Sequence, residues 1–414
     1  MNDHRPEEAP IDFTATDLAD MPIQEAIESI VRQAVSMNSS DLYFLSEELC
    51  TSVKVRSLGT ISRIAVLSAD QGRHILSVMK ANAGMDIAER RRPCDGRLLF
   101  SEGDLRIDLR INTVPTLFGE DMTCRILDRS SNLRSLDDLG MTRGDLGQVR
   151  SMLQSTSGLI LVTGPTGTGK TTTQYACLQH LNDGTKKINT IEDPVEYAMS
   201  GVCQTGVNLR VGLNFSDILP SLLRQSPDII MIGEIRDEET AITAVRAANS
   251  GHLVLATLHA PVAAGAVQSM LALNSNPYFL ASCLLGVIAQ RLIRVLCPAC
   301  RVAYDISMAP ETFAEIQHLL DADEGKAIYG PAGCEKCYGR GYGSRMGLYE
   351  VLVFNREIRR LVSDARPSRE IEQAAIKNGM IEFRRAALLR VAQGVTSTEE
   401  MMQEVPSEYL GLED

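Results

Sequence analysis

The run GLILVTGPTGTGKTTTQYACLQHL, residues 158–181, decides the fold. It opens on a continuous apolar stretch, Leu159-Ile160-Leu161-Val162-Thr163, which has the length and composition of a buried strand. Next comes Gly164-Pro165-Thr166-Gly167-Thr168-Gly169-Lys170-Thr171, a full fit to G-x-x-x-x-G-K-[ST], and then a predicted helix over 171–181. Strand, glycine loop and helix in register are the context a phosphate-binding loop requires. Glycines let the backbone curl so that successive N–H groups face phosphate oxygens. The helix start adds partial positive charge. Lys170 is then a point charge for the β- and γ-phosphates, the Thr171 hydroxyl is placed for Mg²⁺, and Thr172 continues the same edge.

Working outward, three more apolar runs read as strands: 188–191, 229–232 and 253–256, with helical stretches such as 238–248 between them. Continuous apolar strands alternating with helices predict a parallel sheet covered on both faces, an α/β fold. Ligands of such sheets bind outside the carboxyl ends of the strands. The polar loops fall there: Glu192-Asp193-Pro194-Val195-Glu196-Tyr197, Gly233-Glu234-Ile235-Arg236-Asp237 and Thr257-Leu258-His259. Glu234 is the first candidate to polarise an attacking water or hold it through Mg²⁺, and Glu192 the second. His259 is a candidate γ-phosphate sensor. The plainer alternatives are a solvated helix start for Glu192 or Glu196, a structural ion pair for Glu234 and a satisfied strand-end histidine for His259.

The 414 residues call for two to four domains. Residues 1–20 read as an acidic flexible tail. An N-terminal α+β domain spans 21–130, with a helix over 23–37, short alternating segments and a helix over 69–83. The Ser-rich stretch 128–138 reads as a linker, residues 131–296 as the phosphate-loop domain, 297–347 as a paired-cysteine module and 348–414 as a helical region. A net charge of −12, no Trp and 5% aromatic residues argue against a nucleic-acid surface. No run approaches the roughly 18 apolar residues of a membrane span, and the N-terminus has no secretory signal pattern, so a cytoplasmic chain is expected.

Of ten cysteines, six are scattered singly and four form Cys297-Pro-Ala-Cys300 and Cys334-Glu-Lys-Cys337. Two C-x2-C pairs supply a tetrahedral thiolate set for Zn²⁺. Their 33-residue gap exceeds the commonest zinc-ribbon spacing. Redox-active pairs and metal-free packing are the alternatives. With four thiolates bound, such a zinc is structural.

The strings GPTGTGKTTT, TIEDPVEY, LLRQSPDIIMIGEIRD and GHLVLATLHA resemble the Walker A, Asp-box, Walker B and His-box motifs of the secretion-ATPase superfamily, in its GspE/PulE/PilB-like branch. The resemblance continues through AQRLIRVLCPAC and CEKCYGRGYGSRMGLYEVL and back into ERRRPCDGR, DLRINTVPT and FGEDMTCRIL, roughly 21–400. It implies a RecA-like P-loop NTPase core, ATP hydrolysis with Mg²⁺ and a homo-hexameric motor. It also implies work at an inner-membrane platform with cytoplasmic docking proteins, in type II secretion or type IV pilus assembly. It implies two N-terminal arginines at the γ-phosphate, matched here by Arg110 and Arg125, with Arg224 matching a third. Retraction motors of the superfamily typically lack the four cysteines, which favours assembly or secretion. The sequence departs from the family pattern at Pro220, Ser226, Ala260-Pro261-Val262 and Ser40-Asp41-Leu42-Tyr43-Phe44, and the extra N-terminal docking domain of many relatives is not expected here. A nucleic-acid-transport ATPase and a non-hydrolysing ATP-binding scaffold remain the alternatives.

Overall fold

The computed structural model describes Leu18 and residues 21–102, 105–128 and 134–405. The expected tail, apart from Leu18, and residues 129–133 of the expected linker lie outside the described residues. The chain divides into two compact units. One contains the described residues up to 128 together with 297–301 and 331–344; the other contains the rest. The segment expected as one paired-cysteine module is thus shared, with both cysteine pairs in the first unit.

In the first unit, helix α1 (Ile23–Ser36) buries Ile27, Ile30, Val31 and Ala34, a stripe at helical spacing. Strands β1 (Ser39–Ser46), β2 (Cys50–Ser57), β3 (Thr60–Ser68), β4 (Cys94–Glu102), β5 (Leu105–Thr116) and β6 (Gly119–Asp128) form one sheet in the order β3-β2-β1-β6-β5-β4. All its neighbours run antiparallel. Alternate residues such as Leu42, Phe44, Val53, Val55, Ile107 and Leu109 share one core with α1 and with helix α2 (Ala69–Asn82). A Ser68/Gln71 capping box starts α2. Strand β1 is absent from the sequence-based expectation because Asp41 interrupts its apolar pattern. Asp41 is buried and held by Arg56 at 3.7 Å and Arg125 at 3.5 Å.

The second unit is built on a seven-stranded sheet, order β15-β12-β7-β11-β10-β8-β9. The predicted strands appear as β7 (Gly158–Thr163), β8 (Ile188–Glu192), β10 (Ile229–Ile232) and β11 (Leu253–Leu258). Strands β9 (Val202–Gly206), β12 (Leu284–Leu296) and β15 (Tyr342–Val353), and the small antiparallel pair β13 (Val302–Asp305) and β14 (Ala327–Gly330), are additions. Adjacent strands from β12 through β9 are parallel. Leu159 and Leu161 face one core, and Ile160 and Val162 the other. Continuous apolar runs are therefore required on these strands.

One face is covered by α3 (Arg143–Leu153) and α4 (Lys170–Leu181). The other carries α5 (Phe215–Leu223), α6 (Glu238–Asn249), α7 (Ala263–Ala272) and α8 (Pro277–Cys283). The expected C-terminal helices, α9 (Arg356–Ser363), α10 (Ser368–Lys377), α11 (Phe383–Ala392) and α12 (Thr398–Glu404), extend that second core.

Candidate nucleotide site and cysteine cluster

The parallel register brings the carboxyl ends of β7, β8, β10 and β11 to one edge: Thr163 lies opposite Leu258, and Ile232 opposite both Ala256 and Ile191. The phosphate loop leaves β7 there. Gly164 has φ 147°, and a Cβ on it would sit 2.4 Å from the carbonyl oxygen of Gln290, so the close approach requires glycine. Gly169, at φ 87°, turns the chain directly into α4, whose first residue is Lys170. The amides that open α4 follow the loop, as a phosphate cradle needs.

Lys170 Nζ donates to the carbonyls of Gly164 at 2.7 Å and Pro165 at 3.1 Å, and lies 3.3 Å from His259 Nδ1. Because an ammonium only donates, Nδ1 is the acceptor and the His259 proton sits on Nε2. That nitrogen is 2.8 Å from Glu234 Oε1. The other Glu234 oxygen takes Arg236 at 2.7 Å, and Arg236 reaches Asp193 at 3.7 Å. Burial holds the Lys170 ammonium below its usual range, and Glu234 opposes that shift. Three sequence-predicted residues from three loops therefore form one hydrogen-bonded chain, Lys170–His259–Glu234.

Glu192 occupies a different setting. It is 3% exposed, accepts from Thr190 Oγ1 at 2.6 Å and Gln204 Nε2 at 3.1 Å, and bonds the Tyr175 hydroxyl. Burial, and then Glu192 itself, push the Tyr175 phenol up, so it remains a donor. Arg224 bonds the Pro220 carbonyl at 3.1 Å and Ser221 at 3.0 Å, at the end of α5. Ser226, where the sequence departs from the family pattern, has φ 52°, in the left-handed region. In the first unit, Arg110 and Arg125 line one open depression with Asp41, Asp95 and Arg97.

Sequence reasoning passed over several neighbours. Gln290, 1% exposed on β12, donates to the Thr168 carbonyl at 2.6 Å and so braces the loop from below. Thr163 Oγ1 bonds both the N–H and the carbonyl of Ala260, at 2.8 and 2.9 Å, tying the phosphate-loop strand to the His259 loop. A lone polar residue inside an apolar run, as in AQRLIRVL, was the available signal for Gln290.

The four thiols of Cys297, Cys300, Cys334 and Cys337 lie within 4.8 Å of one another. The pairs 297–334, 300–337 and 334–337 are 3.9, 3.8 and 3.8 Å apart. Tetrahedral Zn–S bonds of about 2.3 Å place sulfurs about 3.8 Å apart, so the donor set fits zinc. Burial opposes ionisation of Cys337, but the amides of Cys334 and Gly341, each 3.2 Å from its sulfur, together with the thiols of Cys300 and Cys334, outweigh that and hold it at about 7.

A glycine loop feeding a helix, beside strand-end carboxylates on a two-faced parallel sheet, defines a phosphate-loop nucleotide-binding protein. Residues 16–403 match the family model described as type II/IV secretion system protein. The chain is 38% identical over 384 residues to the type II secretion system protein E of Pseudomonas aeruginosa, covering 93% of this chain and 76% of that one. It is 37% identical over 387 residues to the type IV pilus assembly ATPase PilB of Thermus thermophilus, covering 93% of this chain but only 43% of that longer protein. The fold is shared with the pilus retraction motor PilT with bound ADP (TM-score 0.61, 24% identity, 94% and 99% coverage). It is also shared with the Legionella pneumophila ATPase DotB (TM-score 0.67, 18% identity, 96% and 97% coverage). The chain belongs to the type II/IV secretion system protein family, and it is one of that family's ATPases.

Proposed function

We propose that the chain is the Mg²⁺-dependent ATPase that powers type II protein secretion or type IV pilus assembly. The observation that carries the reading is the hydrogen-bonded chain from Lys170 through His259 to Glu234 at the mouth of the phosphate loop. Residues 164–172 hold the phosphates of ATP. Thr171 would hold Mg²⁺, which neutralises charge on the phosphate oxygens. Glu234 orients the attacking water and takes its proton. His259 keeps Glu234 aligned and links its state to Lys170, whose donors a γ-phosphate would engage. Glu192, with its oxygens already bonded, shapes the adjacent loop.

In the same reading Arg110 and Arg125 stabilise charge on the γ-phosphate, zinc fills the cysteine cluster, and the protein works as a ring, a hexamer by resemblance. Its place is the cytoplasmic side of the inner membrane, reached through partners. No helix among the described residues is long and apolar enough to cross a membrane.

The test is ATP turnover of the full chain beside Glu234→Gln and Lys170→Ala. Glu234→Gln is expected to keep ATP affinity and lose roughly 10²- to 10⁴-fold in rate. Lys170→Ala is expected to lose binding as well. Equal turnover of Glu234→Gln and wild type would remove Glu234 from the reaction. Metal analysis of the same samples should find one zinc per chain, and none after Cys334→Ser/Cys337→Ser.

A further inference from the structure

The segment that carries His259 is short, and its two ends are fixed differently. Its start is the end of β11, and directly after His259 Thr163 holds Ala260 by both backbone groups. Its far end is the first residue of α7, Ala263. The N–H of Ala263 is one of the helix-start donors with no partner inside the helix. The residue before it, Val262, supplies no side-chain cap. Glu350 on β15 fills that role from a distance of 87 residues: Oε2 accepts from Ala263 N–H at 3.0 Å. Its other oxygen, Oε1, accepts at 3.0 Å from the N–H of Phe383, the first residue of α11. Helix α11 has no side-chain cap of its own from Glu382. One carboxylate, 1% exposed, therefore caps two helices at once. One of them leaves the His259 loop, and the other belongs to the C-terminal helices.

We propose that Glu350 is a positioning residue for catalysis: by capping α7 it fixes the Thr257–Val262 segment so that His259 meets both Lys170 and Glu234, and by capping α11 it ties that alignment to the C-terminal helices. The inference rests on the ATPase reading above for its catalytic consequence, and on the two amide bonds for its structural one. Its two hydrogen bonds go to Ala263 and Phe383 and not to the phosphate loop, so its effect should appear in the rate and not in nucleotide affinity. The burial of Glu350 agrees with the same assignment, since a carboxyl sunk this far needs hydrogen-bond partners and the two helix-start amides supply them.

The experiment uses the full chain at pH 8, where Glu350 is ionised, in four forms: wild type, Glu350→Gln, His259→Ala and the double variant. Hydrogen exchange by mass spectrometry is read on peptides covering 257–266, with 164–172 as the internal control. Steady-state turnover gives kcat and KM for ATP. Glu350→Gln opposes its amide N–H₂ to one helix-start N–H. It is expected to speed exchange in 257–266 about 10-fold, a shift of the size that losing one charged hydrogen bond gives, while 164–172 is unchanged. Turnover should fall about 10-fold with KM for ATP within twofold, and the double variant should be no slower than His259→Ala alone.

Unchanged exchange in 257–266, a raised KM, or losses that multiply in the double variant would each overturn the proposal. If Glu350→Gln does not fold, Glu350→Asp keeps the charge but withdraws it by one methylene, and the same exchange result is required of it. The exchange arm needs no turnover. A wild type that binds but does not hydrolyse ATP would therefore count against the ATPase reading and leave the positioning role to be decided by exchange alone.

Discussion

Glu234 and Glu192 stand at the carboxyl ends of adjacent parallel strands in one sheet, yet their surroundings have little in common. Glu234 is flanked by charge and by groups that can change partner: His259 on one oxygen, Arg236 on the other, Lys170 one bond further on. Glu192 is sunk among neutral donors, the hydroxyls of Tyr175 and Thr190 and the amide of Gln204. The first arrangement can move a proton or follow a phosphate. In the proposed reading the second holds a shape. Position at the sheet edge makes both residues candidates, and environment separates their roles.

The sharpest way to break this comparison is to remove the carboxylate at each site in turn. Glu234→Gln should cost roughly 10²- to 10⁴-fold in turnover, with little change in melting temperature. Glu192→Ala should do the reverse. Removing its carboxylate takes the acceptor from the buried Tyr175 and Thr190 hydroxyls and the half-buried Gln204 amide, at a cost of about 3 kcal/mol. That shifts the melting temperature by about 10 °C at roughly 2–4 °C per kcal/mol for a unit of this size. Turnover measured well below the transition should stay within an order of magnitude of wild type. A Glu192→Ala protein that melts normally but does not hydrolyse ATP would reverse the assignment.

How much of this was legible beforehand follows from sequence distance. The phosphate loop, the four apolar strands and the strand-end carboxylates are local patterns, and a single stretch of chain displays each one. The cysteine pairs are local too, each pair closing within one turn. The partners of Glu192 are not. Thr190 shares its strand face, but Tyr175 comes from α4 and Gln204 from β9, and no spacing rule links them. Gln290 and Glu350 lie on β12 and β15, strands whose burial does not alternate because their upper halves are covered on both faces. Periodicity carries no signal there. The chain's return through 331–344 to the N-terminal unit is likewise a long-range fact. Tyr338 reaches the Ser36 carbonyl at 3.3 Å across 302 residues.

A third carboxylate sharpens the contrast through pH. Glu350 is buried more deeply than Glu234 and bonded only to amides. Burial pushes its carboxyl up to about 7, while the amides of Ala263 and Phe383 pull it back. The charged groups that face it are acidic, Glu372 on α10 and Glu382 beside α11, and both raise it further. Its folded value is therefore above its unfolded one. The stability carried by the neutral form is complete below about 4.5 and is lost as pH rises through about 7. Thermal melts from pH 5 to pH 8 should show wild type losing up to about 3 kcal/mol relative to Glu350→Gln. Parallel pH curves would mean that Glu350 is ionised throughout. The ionised form that holds both amides best is then the less stable one, a cost placed beside the catalytic loop.

The smallest expected effect tests whether the Glu192 group is a network or three independent bonds. Tyr175→Phe removes one hydroxyl and leaves the ring, which packs edge-on against Tyr197 at 4.5 Å. Taken alone, one bond to a carboxylate is worth about 1.5–3 kcal/mol. Gln204 Nε2, however, lies 3.2 Å from the same hydroxyl and 3.1 Å from Glu192, so it can turn fully toward the carboxylate when the hydroxyl goes. The loss should therefore be nearer 1 kcal/mol, a shift of about 2–4 °C. Gln204→Leu should cost a similar amount, and the double variant more than the sum, because nothing then remains to compensate. Strict additivity would mean that Glu192 holds its donors separately. The distinction drawn between a carboxylate that acts and one that shapes would then rest on burial alone.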